Sequence, residues 1–299
     1  MADASVQALD TATHTAKKSF KEPYEFKPFH LVIYFILIVG ALICITPFFY
    51  MLSTSLMTLG ETINKQAFPQ VPQWQNYSEA WTEAKFSRYF LNTVIITAVT
   101  IVGLLITSIL AGYAFANINF PGREALFMVL LATMMIPGTV TFIPNFLMVH
   151  GEIIPWGSWI NTLPALTVPF LAKAFAIFLL RQFFKGIPKE LWDAAQIDGA
   201  GHFRFLTAVV IPMSRPVILT VTLFTFIDAW NEFIWPLLVT TTSTWRPLGV
   251  GLWTFVSEAG PETQLLMAGS VIVILPVLFV YFVTQKYFTE GIATSGLKG

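Results

Sequence analysis

Residues 89–116 read YFLNTVIITAVTIVGLLITSILAGYAFA, without one formal charge. A helix needs about 20 consecutive apolar residues to cross the hydrocarbon core of a bilayer. Within lipid each backbone N–H and C=O has to be paired inside the segment, which leaves the helix as the form available to a single stretch. This stretch is long enough, and similar runs recur on both sides of it, at about 29–52, 125–149, 160–181, 217–239 and 263–286. The fourth run is interrupted by Lys173, and the fifth by Asp228 and Glu232. Six runs predict an all-α, polytopic membrane protein with six transmembrane helices and both termini on one side.

The composition of the 299 residues agrees: 55% are hydrophobic and 11% are charged, against about 25% charged in a soluble domain. A single soluble core cannot hide that much apolar surface, which excludes an ordinary cytosolic enzyme. The formal net charge is zero, so the basic field that a nucleic-acid binder needs is missing. One cysteine, Cys44, excludes a disulfide framework. His14, His30, His150 and His202 lack the spacing of metal ligands, so no metal site is expected. No nucleophile–base pair stands out in the spans, so no catalytic residues are expected either.

Lys and Arg set the orientation. With the N-terminus inside, twelve fall in inner segments and four (Lys65, Lys85, Arg88 and Arg246) in outer loops. Both termini are therefore expected in the cytoplasm. Residues 1–28 are polar and read as a cytoplasmic tail rather than a signal peptide. The transmembrane domain is expected over 29–290 and a short cytoplasmic tail over 291–299. The first outer loop, with Pro69, Pro72, Trp74, Tyr77 and Trp81, is polar and aromatic and suits the membrane surface.

The longest inner connection lies between spans four and five. Pro188 suits a helix start, Glu190 and Asp193 suit its N-terminal dipole, and Gly199 and Gly201 suit a stop and a turn. A second helical stretch starts near His202, with Phe203, Phe205 and Leu206 on one side, and Pro212 and Pro216 interrupt the chain before span five. Small residues would let another backbone approach, and the carboxylates would meet its basic groups. A plain connector with solvated charges fits the same residues.

The run Glu190-Leu191-Trp192-Asp193-Ala194-Ala195-Gln196-Ile197-Asp198-Gly199-Ala200, followed by Ile211-Pro212, resembles the "EAA" loop of ABC-transporter permeases. Its Asp-Gly-Ala form is similar to the carbohydrate-uptake branch. Trp230-Asn231-Glu232-Phe233 and the C-terminal stretch from Gln285 onward are similar to the second, six-span permease subunit of maltose-type importers. Two positions depart mildly from the pattern: Asp193 stands for glutamate, and Ile211 for leucine before the proline.

The resemblance implies that Glu190, Asp193, Ala194, Ala195, Asp198, Gly199 and Ala200 dock a paired cytoplasmic ATPase. That ATPase would bind ATP and Mg; this chain has no Gly-rich phosphate loop of its own and needs no cofactor. It further implies a second permease subunit, an extracytoplasmic solute-binding protein facing the outer loop 240–262, a prokaryotic cytoplasmic membrane, and a sugar or oligosaccharide as cargo. A glycerol phosphate or another polyol is the alternative within the same architecture. A self-sufficient secondary transporter would call for an internal repeat, and none stands out.

Carboxylates inside a span are costly, at least about 2.5 kcal/mol each. Asp228 and Glu232 are four apart and would share one helix face, with Asn231 at its edge and Trp230 and Trp235 flanking. Asp228, Trp230, Asn231 and Glu232 are thus candidates for a sugar pathway, which needs hydrogen-bonding groups beside aromatic faces. A packing or gating role, with the acids paired to Lys173 or Arg246, is the competing reading. Lys173 itself is a counter-ion for Asp228 or a snorkelling side chain. Pro47, Pro137, Pro144, Pro164, Pro169 and Pro276 mark candidate kinks. Gly103 and Gly112 mark candidate close contacts between helices.

Overall fold

The computed structural model describes residues 28–83, 85–153, 157–257 and 260–295. The expected N-terminal tail falls outside the described residues, except Pro28, and so does the end of the C-terminal one. The described chain is helical apart from one two-residue antiparallel ladder, β1 (Val256–Ser257) with β2 (Gly260–Pro261). It divides into one compact unit ending at Tyr50 and a second starting at Met51. The first holds most of α1 (Pro28–Ser55), a helix with apolar residues on every face and Pro47 inside it.

The second unit continues with α2 (Leu59–Ile63), α3 (Gln75–Glu83) and the long α4 (Phe86–Asn117). Then come α5 (Arg123–Thr133), α6 (Phe142–His150), α7 (Leu163–Thr167) and α8 (Ala174–Lys185). A hairpin of α9 (Lys189–Ile197) and α10 (His202–Phe205) leads through a π-turn into α11 (Ile211–Met213). The chain closes with α12 (Arg215–Asn231), α13 (Ile234–Val239), α14 (Leu248–Leu252) and α15 (Thr263–Ser295).

The segment read as the first outer loop is folded rather than loose. Thr58 and Glu61 form a reciprocal capping box at the start of α2. Asn76, at the start of α3, is buried and donates to the carbonyls of Ser55 (2.9 Å) and Met57 (2.8 Å).

Helix α4 organises the second unit, running about 40 Å at 1.5 Å per residue from Phe86 to Tyr113. Phe86 and Tyr89 join a buried cluster with Leu248, Leu265 and Ala268. Ile96 joins a second with Val149, Leu166, Trp235 and Val239. Leu104 and Tyr113 join a third with Leu180, Phe184, Phe205 and Val221. Its most extensive neighbour is α8, and Gly112 explains the closeness. A Cβ there would lie 3.2 Å from Leu180 Cβ and 3.3 Å from the Arg181 backbone nitrogen.

Among the described residues, three helices are long and apolar enough to cross a membrane: Phe29–Ser55, Phe86–Asn117 and Thr263–Gln285. The other three expected spans are not straight helices. Arg123–Thr133 and Gly138–His150 meet at 93°. Pro137 forces this corner, because the residue before a proline is driven from the helical region and proline itself cannot donate. Leu163–Phe170 and Ala174–Lys185 meet at 46°, with Lys173 extended at the joint. The fifth expected span begins as α12, which forms a 79° corner with His202–Met213 at Ser214, between Pro212 and Pro216.

The expected continuous helix over 217–239 is broken at Glu232 and Phe233. Pro236 has no N–H, and its ring collides with a helical carbonyl four residues back, that of Glu232. The i, i+4 argument for Asp228 and Glu232 therefore does not hold as a shared helix face.

Candidate functional site

Two regions carry the residues singled out by sequence. The first is the α9–α10 hairpin. Pro188 is the N-cap of α9 rather than its first helical residue, and Glu190 sits in the first turn. At the other end the Ala200 N–H donates to Ala195 O (2.8 Å) and the Gly199 N–H to Gln196 O (3.0 Å). This paired closure needs a left-handed residue after the cap, and Gly199 supplies it with φ +74°.

Glu190, Asp193, Ala194 and Ile197 follow i, i+3, i+4, i+7 spacing and are exposed, as are Asp198 and Gly199. Ile197 is 87% exposed and Phe203 73%. Ala195 and Ala200 are half-buried, and Ala195 and Trp192 pack on the inner cluster.

The inner side is an aromatic stack that sequence reading did not anticipate. Trp192 lies flat on His202, with centroids 4.4 Å apart and 11° between planes, and edge-on to Phe205 at 5.0 Å. His202 Nδ1 is hydrogen-bonded to the Tyr113 hydroxyl at 2.9 Å. The hairpin is thereby tied directly to α4.

Beside it lies a second tie without a sequence signal. Arg181 of α8 is buried and donates to both oxygens of Glu124 (3.0 and 2.7 Å) and, through Nε, to Phe115 O (3.1 Å). Its guanidinium carbon also sits 3.7 Å from the Phe127 ring centroid. One side chain so joins α8 to the end of α4 and the start of α5.

The second region is a cavity of about 330 Å³ between α4, the stretch 166–173 that leads into α8, and α12 with the start of α13. Asp228, Asn231 and Glu232 line it together with Lys173, Thr93, Thr100 and Thr225. Lys173 Nζ meets Asp228 Oδ2 at 2.7 Å, so the counter-ion reading of Lys173 holds. Glu232 Oε1 accepts the Trp235 N–H at 3.0 Å. The carboxylate thus caps the helix that Pro236 restarts, and the break aims this acid at the cavity. Pro236 was the available signal, absent from the prolines considered by sequence.

Trp230 is not on this wall. Its ring is buried against Phe90 and Phe226, its Nε1 donates to Val273 O (3.1 Å), and it borders a separate cavity with Phe233 and Trp253. Trp235 is also core, donating to Ala165 O (2.9 Å).

Comparison with known proteins gives a consistent picture. The chain is similar to the diacetylchitobiose uptake system permease protein NgcG of Streptomyces coelicolor, 31% identical over 86% of this chain and 85% of that one. It is also similar to the sn-glycerol-3-phosphate transport system permease protein UgpE of Rhizobium meliloti, 33% identical over 88% of this chain and 95% of that one. Among solved structures, a chain of a bacterial ABC transporter involved in the import of the acidic polysaccharide alginate superposes with a TM-score of 0.78. It is 25% identical and is matched over 90% of this chain and all of the other. Residues 103–294, from the middle of α4 almost to the end of α15, match the profile of one family. The chain belongs to that family, the binding-protein-dependent transport system inner membrane components.

Proposed function

We propose that this chain is one of two permease subunits of an ATP-driven importer for a sugar or oligosaccharide. It forms half of the translocation path and couples it to a paired cytoplasmic ATPase. The three straight helices, the bent pairs over 123–150 and 163–185, and α12 continued by α13 make six spans over 29–290, with both termini and the α9–α10 hairpin in the cytoplasm. ATP and Mg belong to the partner ATPase, and a solute-binding protein delivers cargo from the other side.

The observation that carries this reading is the hairpin: an outward face of Glu190, Asp193, Ala194 and Ile197 backed by Trp192, which stacks on His202, which in turn is hydrogen-bonded to Tyr113 of α4. A partner that closes on the outward face moves α4 through that grip. ATP shifts the transporter between states only through differential binding to them.

Gly199→Leu tests it. The space around Gly199 is open, so the cost is a non-glycine residue at φ +74°, about 1 kcal/mol, paid at the docking face. Uptake is expected to fall to background while the chain stays inserted. Normal uptake by this variant would sink the docking role. Purification in mild detergent is expected to bring along an ATPase pair and a second permease; recovery of the chain alone would undo the two-permease reading.

The glycerol-phosphate relative supports a second cargo, but a phosphate group calls for converging Arg or Lys side chains. The lining of the cavity beside α4 and α12 has one cation, Lys173, already paired with Asp228.

A further inference from the structure

We infer that the start of α5 and the end of α8 hold the phosphate of an anionic phospholipid headgroup, with Arg123 and Lys185 as its direct contacts. The inference rests on the spans of the permease reading and not on the cargo, so its failure leaves the import function standing.

Glu124 gathers three cations. Arg181 Nη2 lies 2.7 Å from its Oε2, while Arg123 Nε and Lys185 Nζ lie 3.2 and 3.9 Å from its Oε1. Among the described residues no other carboxylate pairs with any of the three. Three cations against one acid leave an excess of about two positive charges. Their donors are only partly used. Arg123 spends Nε on Glu124 and Nη1 on Ile118 O (3.2 Å) and Asn119 Oδ1 (3.0 Å), which leaves Nη2 unbonded among the described residues. Lys185 Nζ stands beyond hydrogen-bond reach of Glu124, with its donors unspent there. Spare guanidinium and ammonium donors side by side suit a phosphate oxygen. An open hollow of about 340 Å³ lies against Arg123, walled by Asn119, Phe120 and Gly122, and gives a headgroup room.

Depth separates a lipid from a free phosphate. Helix α4 ends at Asn117, α5 begins at Arg123 and α8 ends at Lys185. The cluster therefore sits where three spans end together, at the level of the headgroups, and basic pockets between helices at that level take anionic lipids. Further along α5, Leu126, Met128 and Val129 are exposed, as is Phe183 just before Lys185 on α8. They offer apolar surface to acyl chains whose phosphate rests on the cations; a free phosphate gains nothing from them. The bound phosphodiester bridges α5 and α8 and braces the Arg181–Glu124 joint between them.

The test is native mass spectrometry of the full complex in mild detergent, titrated with three probes: phosphatidylglycerol, phosphatidylcholine with the same acyl chains, and inorganic phosphate. Phosphatidylglycerol is expected to bind saturably and more tightly than phosphatidylcholine, and inorganic phosphate is expected not to displace it. Lys185→Gln should weaken phosphatidylglycerol binding about fivefold, the worth of one basic residue at an anionic surface, and Lys185→Arg should restore it. Lys65→Gln is the matched control: it removes the same charge from an exposed lysine outside the cluster and should change nothing. Equal binding of the two lipids, an unchanged affinity in Lys185→Gln, or an equal loss in Lys65→Gln overturns the site. Displacement of the lipid by inorganic phosphate overturns the lipid and assigns the cations to a free anion.

Discussion

Arg181, within α8, and Lys173, just before its start, are two cations used in opposite ways. Arg181, toward the hairpin, has a side chain only 5% exposed; it meets Glu124 through two hydrogen bonds, a backbone carbonyl through a third and an aromatic face through its carbon. Lys173, at the joint before the helix, is 34% exposed and meets Asp228, itself 60% exposed, through one bond. A planar guanidinium held on several sides is a fixed joint. An ammonium on a flexible stem, facing a cavity and held by one bond, is a contact that can open. The same helix thus joins a rigid end next to the α9–α10 hairpin to a yielding end next to the cavity.

The largest expected effect comes from breaking the rigid end. Arg181→Ala should destabilise the assembled protein by about 2 kcal/mol, the worth of lost charge-assisted hydrogen bonds, read as a lower unfolding temperature in detergent. Arg181→Lys should not rescue it, because an ammonium cannot reproduce the fork or the ring contact. Lys173→Met should behave differently: less than about 1 kcal/mol of stability lost, as for exposed ion pairs, but a clear change in uptake rate. Equal stability losses from Arg181→Ala and Lys173→Met would erase the distinction between the two ends.

The smallest effect, and the one that sharpens the comparison, concerns the hairpin beside the rigid end. His202→Ala removes the stack on Trp192 and the bond to Tyr113, and should reduce the sugar imported per ATP hydrolysed more than it reduces stability. His202→Phe, which keeps the stack and loses the bond, should fall between it and the wild type. An unchanged ratio in both variants would show that the grip on α4 carries no motion.

The hairpin was largely legible in sequence because its signals are local. Gly199 is needed where the helix reverses, and the exposed face follows helical spacing from Glu190 to Ile197. The close approach at Gly112 could be suspected from a small residue in an apolar span. The cavity was only half legible. Asp228 and Glu232 were conspicuous as charges in lipid, but the reason they meet there is not the helical repeat; it is a helix broken by Pro236, with Glu232 capping the restart. Trp230 looked like a path residue by its neighbours and turned out to be committed to Val273 and the core.

The sequence by itself determined that the chain is a membrane protein of apolar helices, since burying charge-free runs of this length leaves no other solvent for them. It also determined where the hairpin turns, since backbone conformation at a glycine is a local matter. Only the tertiary structure decided that Arg181 would reach Glu124, that His202 would bridge Trp192 and Tyr113, and that Lys173 would meet Asp228. Those outcomes depend on how α4, α8 and α12 cross. Crossing is set by pair contacts between residues 50 or more positions apart, which leave no periodic trace along the chain.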